Sequence, residues 1–210
     1  MATHVLPADL SDPEAPERLF AALNDEGIVV DALVNNAGYA LGRRFTRGPW
    51  EEQAQLLQVL VTAPAHLCRL FVPGMVERGY GRIVNVGSIA AWAPPSPGSL
   101  YGGAKAFLTL FSRSLALELE GSGVNVTALC PGFTRSEFHD VMGTRQAVDG
   151  LPGFMWMDAR KVARQGYDAV MRGDPVIVNG LVNRAIRALC SLLPDALIAA
   201  LRPKMTREGF

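Results

Sequence analysis

Three runs in this chain are apolar almost without alternation, and each ends at polar residues, glycine or proline. They are Asp31-Ala32-Leu33-Val34-Asn35-Asn36, Gly81-Arg82-Ile83-Val84-Asn85-Val86 and Val124-Asn125-Val126-Thr127-Ala128-Leu129-Cys130. A strand with one wet face alternates apolar and polar residues. One covered by helices on both faces does not, and such strands belong to parallel sheets. Helix-length segments separate the runs. One runs from Pro13 to Leu23, one from about Trp50 to Arg78, expected to break or kink near Pro64 and Pro73, and one from Tyr101 to Glu120, closed by Gly121-Ser122-Gly123. A Pro/Gly-rich loop spans Ala93 to Gly98. This order predicts an α/β fold, a doubly wound parallel sheet.

Such a sheet needs a core, and 210 residues at 49% hydrophobic and 19% charged supply one. Twenty basic residues balance twenty acidic ones, so no net field draws the chain to nucleic acid. Cys68, Cys130 and Cys190 match no zinc or disulfide spacing, which predicts no metal site and a reducing, cytoplasmic compartment. The N-terminal residues carry no basic, apolar leader pattern. No uninterrupted apolar run of about 18 residues exists, so no transmembrane helix is expected.

The polar and glycine residues that end the runs fall on one edge of the predicted sheet, where open α/β sheets bind ligands. Tyr101 and Lys105 stand one turn apart at a helix start and share a face. A free tyrosine, with a pKa near 10, is a poor proton catalyst at neutral pH, and a neighbouring ammonium favours its phenolate. Ser88 ends the preceding strand, so its hydroxyl could hold a substrate oxygen while Tyr101 exchanges the proton. The plainer alternative makes Lys105 an exposed, solubilising lysine.

Asn35-Asn36-Ala37-Gly38, Ser88, Tyr101-Gly102-Gly103-Ala104-Lys105 and Pro131-Gly132, in that order, resemble the motifs of the short-chain dehydrogenase/reductase family. The resemblance runs from about Val5 to Ser136, and most closely to a bacterial branch of oxidoreductases with a hydrophobic C-terminal extension. It implies a Rossmann-like fold, NADP or NAD as cofactor with NADP favoured, a small carbonyl or alcohol substrate, and a homodimer or homotetramer. Residue by residue, it implies that Ser88 positions the substrate and Tyr101 is the acid/base. Lys105 binds the nicotinamide ribose and lowers the tyrosine pKa. Asp9 and Leu10 contact the adenine; Asn35, Ala37 and Gly38 belong to the turn that holds the sheet edge and faces the cofactor; Pro131, Gly132, Thr134 and Ser136 meet its nicotinamide end. Asp9 has a second reading as a turn or cap aspartate, beside Ser11 and Asp12.

Two departures from the family pattern bear on activity. No Gly-x-x-x-Gly-x-Gly turn precedes Asn35. The chain is therefore expected to start near the family's third strand, lacking two strands (about 50 residues) and the phosphate cradle. The Val5 segment is then expected to lack a strand partner, the Leu33 strand to form an apolar edge, and cofactor binding to be weak. Leu60 also stands where the family places an asparagine that supports a proton relay, and Ala104 replaces a frequent serine. These departures favour a second reading, a catalytically inactive homologue serving as a binding or scaffold subunit.

Phe133 to Arg160 reads as loop-rich, and Leu151-Pro152-Gly153-Phe154-Met155-Trp156-Met157 suits either a cover for an apolar substrate or a packing segment. His139 lies in this stretch. Residues 1–180 are expected to form the partial Rossmann-type domain, and 181–210 a hydrophobic helical extension of it, with two helices parted at Pro194. That extension suits packing on the body or a neighbouring subunit, with peripheral membrane contact as the alternative.

Overall fold

The computed structural model describes residues 3–92, 100–138 and 150–192. The predicted loop at 93–98, His139 and the Pro194 break lie outside them. Four parallel strands form the sheet: β1 (Ala32–Asn35), β2 (Gly81–Val86), β3 (Val124–Cys130) and β6 (Val176–Val178), in the order β1-β2-β3-β6. Two short strands, β4 (Thr134–Arg135) and β5 (Met157–Asp158), pair with each other in parallel beside it.

Helices cover both faces, as the unalternating runs require. On one face lie α3 (Ala63–Glu77) and α4 (Tyr101–Glu118), where Leu67, Phe71 and Met75 close over Ile83 and Val126. On the other lies α5 (Ala159–Arg172), with Val162 and Val170 against Val84 and Leu129. The side chains of Ile83 and Val84 point to opposite faces, and each is buried. Helix α1 (Ala15–Asp25) packs outside α3, with Phe20 edge-on to Phe71 at 5.1 Å. Its start is set by Asp12, whose carboxylate accepts the Glu14 N–H at 2.9 Å, and by Pro16, whose φ suits a first turn.

Two sequence expectations change. The segment beginning at Trp50 does not break at its prolines. It runs unbroken from Trp50 to Glu77, as α2 (Trp50–Leu57), one π-helical turn (Gln58–Thr62) and α3. The π turn shifts the hydrogen-bond ladder just before Pro64, so the missing N–H falls in the first turn of α3, and Pro73 is accommodated within α3. By length and composition this helix could cross a membrane. Its apolar residues are instead core residues, among them Leu56, Leu60, Ala63 and Met75, all at most 1% exposed. The loop-rich reading also missed α5 at its far end. Asp158 accepts the Lys161 N–H at 3.0 Å to start that helix, and Gly173, at φ 81°, ends it.

Strand β1 has one neighbour, β2, and is an edge of the described sheet, with Val34 59% exposed. Val5 is exposed and in no strand. Helix α6 (Leu181–Leu192) packs one side on the body through Asn183, Ile186 and Arg187, while Leu181, Leu189 and Leu192 face outward.

Candidate active site

The carboxyl ends of β1, β2 and β3 open into one cleft of about 1180 Å³. Strand β2 delivers Ser88 just beyond its last residue. The Ser88 hydroxyl accepts the Ala90 N–H at 3.1 Å and starts a single 3₁₀ turn, Ile89–Ala91. The Ile89 N–H in turn donates to the Pro131 carbonyl at 2.9 Å, tying the end of β2 to the turn that follows β3. Helix α4 begins at Tyr101, so Tyr101 and Lys105 point from its first turns into this corner. Ser88, Tyr101, Lys105, Ala37, Gly38, Pro131, Gly132, Thr134 and Ser136 all line the cleft, as the sequence predicts.

Asn35 does not. It is buried, and its amide nitrogen donates to Asn85 Oδ1 at 2.7 Å, with Pro64 O at 3.4 Å and Cys68 Sγ at 3.6 Å. Asn85 passes the chain on to Ser112 Oγ at 2.8 Å, and Ser112 to Leu108 O at 2.6 Å. An amide under the sheet end needs partners. Asn35 finds them below, and its neighbour Asn36 takes the place in the cleft wall. Asp9 and Leu10 also lie off the cleft. The Asp9 carboxylate accepts the Ser11 N–H at 2.9 Å, which holds its pKa below the usual value, and Leu10 packs beside Leu56 and Leu60.

Lys105 is 5% exposed, and its ammonium donates to Val86 O at 2.6 Å. Burial lowers its pKa to about 8. Tyr101 moves the other way. Burial raises its phenol above the ordinary value, while a hydrogen bond with Ser88 pulls it down. Lys105 Nζ lies 5.8 Å from the Tyr101 ring centre and donates to the Val86 carbonyl, so its charge stands beside the phenol while burial sets the net direction of the shift. Leu60, on the π turn, closes the far side. A Cβ on Gly38 would meet Leu60 Cδ2 at 2.9 Å and come within 3.7 Å of Lys105 Nζ, so a side chain there would push the Leu60 tip aside.

These residues fit the nicotinamide half of a dinucleotide. The backbone at Gly38 approaches the lysine without a side chain, and Lys105 spends one of its three donors on Val86. Among the described residues, no glycine-rich turn precedes β1 to hold the phosphates. Sequence reasoning missed two walls of the cleft, Val162 and Ala163 of α5 and Asn183 and Ile186 of α6. The Asp158 cap and Gly173 stop were the readable signal for α5.

The chain matches the short chain dehydrogenase family over residues 1–147 and belongs to that family. It is 37% identical over 153 residues to a serine 3-dehydrogenase of Rhizobium radiobacter, covering 71% of this chain and 61% of that protein. It is 36% identical over 140 residues to the NADP-dependent 3-hydroxy acid dehydrogenase YdfG of Escherichia coli K12, covering 66% of this chain and 56% of that one. A short-chain dehydrogenase from Sphingobium yanoikuyae, solved in complex with NADPH, superposes with a TM-score of 0.79 at 28% identity, over all of this chain and 80% of that one. The chain thus spans less than two thirds of the two dehydrogenases named first.

Proposed function

We propose that the protein is an NAD(P)-dependent oxidoreductase interconverting a carbonyl and an alcohol, with Ser88, Tyr101 and Lys105 as its catalytic residues. The observation that carries this is the meeting of these three side chains in one cleft at the carboxyl ends of the strands. Both relatives named above are dehydrogenases, and the Sphingobium neighbour holds NADPH, which supports the cofactor and favours NADP. The bound nicotinamide would supply or accept the hydride. Lys105 would hold the adjoining ribose; Gly38, Pro131, Gly132, Thr134 and Ser136 would frame the ring end.

Ser88 would donate its hydroxyl hydrogen to the substrate oxygen, and Tyr101 would pass its proton to that oxygen. Burial keeps the Tyr101 phenol protonated at neutral pH, the form a proton donor needs. The charged Lys105 would then stabilise the phenolate left behind. The walls supplied by Phe133, Phe138, Met155, Val162 and Ile186 are apolar, so the substrate is an apolar carbonyl compound.

The test pairs NADPH titration with turnover across varied ketones. Tyr101→Phe is expected to bind NADPH as the parent does and to lose about 10² to 10⁴ in kcat. A parent that binds NADPH but reduces no carbonyl would instead support the inactive-subunit reading.

The homodimer or homotetramer reading rests on the outer face of α4. Phe107, Leu110 and Leu117 are 44%, 62% and 73% exposed there, a face that suits a second copy of the chain. Leu110→Glu is expected to halve the mass seen by light scattering; an unchanged mass would refute that surface.

A further inference from the structure

Helix α6 uses its two sides differently. The inner side is spent: Asn183 is buried, Ile186 lines the cleft, and the Arg187 guanidinium lies 5.0 Å over the Trp92 ring. The outer side carries Leu181, Ala185, Ala188, Leu189 and Leu192, every one exposed, with Leu181 at 77% and Leu192 at 83%. Spacings of three and four residues put them on one stripe. The stripe runs the full helix, about 18 Å at a rise of about 1.5 Å per residue. A continuous apolar patch of this kind marks a docking surface.

Charge identifies what it docks on. Helix α6 has two arginines and no acidic residue, and Arg184 is exposed beside the stripe. From Leu181 to Phe210 the sequence holds five basic residues and two acidic ones, in a chain whose twenty basic and twenty acidic residues cancel. Positive charge is therefore gathered where the stripe is. Pairing α6 with its own copy about a two-fold axis would bring like charges together. An anionic lipid surface takes up both the leucines and the arginines.

Position agrees with charge. The turn Gly153–Met155 presents Phe154, 72% exposed, while Met155 lines the cleft. Just beyond it, Met157 Sδ lies 3.9 Å from Asn183 Nδ2, so this segment touches the first turn of α6. Phe154 and Leu181 thus come from neighbouring segments at the rim of a cleft with apolar walls. An apolar compound partitions into lipid, so a rim that meets lipid shortens its way to the cleft.

We propose that the outer face of α6, with Phe154, docks the protein on an anionic lipid surface. The helix lies along that surface, its leucines in the headgroup boundary and Arg184 on the lipid phosphates. Docking brings the rim of the cleft to the phase that holds an apolar carbonyl compound. This consequence rests on the oxidoreductase reading; the docking itself does not.

The test sediments the full chain with vesicles of phosphatidylcholine, alone or mixed with phosphatidylserine. The parent should pellet with the mixed vesicles, and less of it at high salt. Leu189→Glu combined with Leu192→Glu, both at exposed positions, should weaken binding at least about tenfold. Arg184→Gln should weaken it about fivefold on mixed vesicles and leave the weaker binding to phosphatidylcholine unchanged. Val5→Glu, which removes an equally exposed apolar side chain elsewhere, should bind as the parent does. Circular dichroism checks that each variant is folded; if the double variant unfolds, Arg184→Gln decides alone.

A parent that stays in the supernatant, or pellets equally with both vesicles, overturns the docking. So does a Val5→Glu variant that loses as much binding as the double variant. A parent that does not pellet and whose mass in solution falls in the double variant assigns the stripe to a second copy, which also overturns it. Reduction of a water-soluble ketone is measured without vesicles, so the oxidoreductase reading stands or falls separately.

Discussion

Two polar clusters sit under the same strand ends, and they are built differently. Asn35, Asn85 and Ser112 form a closed relay in which nearly every donor meets an acceptor inside the protein. In the cleft, Lys105 lies about as deep while Ser88 and Tyr101 are half-buried, and the Lys105 ammonium meets a single acceptor among the described residues, the Val86 carbonyl. Burial alone does not separate a structural polar group from a functional one. The unspent hydrogen-bonding capacity does, because a closed group has nothing left to offer a ligand.

The contrast is sharpened by substitutions that cost stability in one cluster and function in the other. The largest stability effect should come from Asn85→Leu. It takes the acceptor from the buried Asn35 amide and the donor from the Ser112 hydroxyl, and should cost about 3 kcal/mol in chemical denaturation. A cost below about 1 kcal/mol would mean the relay is dispensable.

Lys105→Met should move stability the other way at neutral pH. Burial lowers the lysine pKa to about 8 from 10.5, so below pH 8 the folded state carries a buried ammonium that the unfolded chain keeps hydrated. The methionine variant should then be more stable by about 2 kcal/mol, after allowing for the lost bond to Val86. Between pH 8 and 10.5 the unfolded state binds more protons, so the parent gains stability as pH rises and the gap closes. Cys68, pushed up to about 11 by burial, titrates alike in both proteins and cancels, whereas Cys130, also pushed up by burial, loses the lowering that Lys105 gives it and titrates higher in the variant. A gap independent of pH would break the argument.

The smallest effect on stability belongs to Ser88→Ala, about 1 kcal/mol for the lost 3₁₀ cap. Its mark is electrostatic. Without the Ser88 hydrogen bond the Tyr101 phenol should titrate higher, as followed by ultraviolet difference spectra, and an unmoved titration would show that the two hydroxyls do not interact.

Much of the cleft was legible because its signals are local. The bounds of β2 and β3 match the apolar runs, and Tyr101 and Lys105 share a helix face by spacing alone. The errors arise where a side chain chooses between two sides of the sheet end. Asn35 and Asn36 are the same residue type in adjacent positions, and only the distant Asn85 decides that the first turns inward. Nothing in the sequence signals that Lys105, which stands over the Tyr101 ring, also donates to the Val86 carbonyl. Asn183 gave no sequence signal, since a single amide in an apolar helix acquires meaning only from the Gly132 turn beneath it.

The π turn at Gln58–Thr62 has a consequence for chain length. A helix advances about 100° per residue, so an added residue would ordinarily rotate everything after it. A π turn confines the surplus to one loosened loop of backbone. Gln53 and Leu56 before it, and Leu67, Phe71 and Met75 after it, all stay buried, Leu67 to Met75 against the sheet. What the surplus residue changes is local: it bulges the segment that carries Leu60 toward Gly38 and Lys105. The helix thus behaves as a ruler with one movable notch, where trimming a residue would withdraw the lid from the lysine without turning the scaffold.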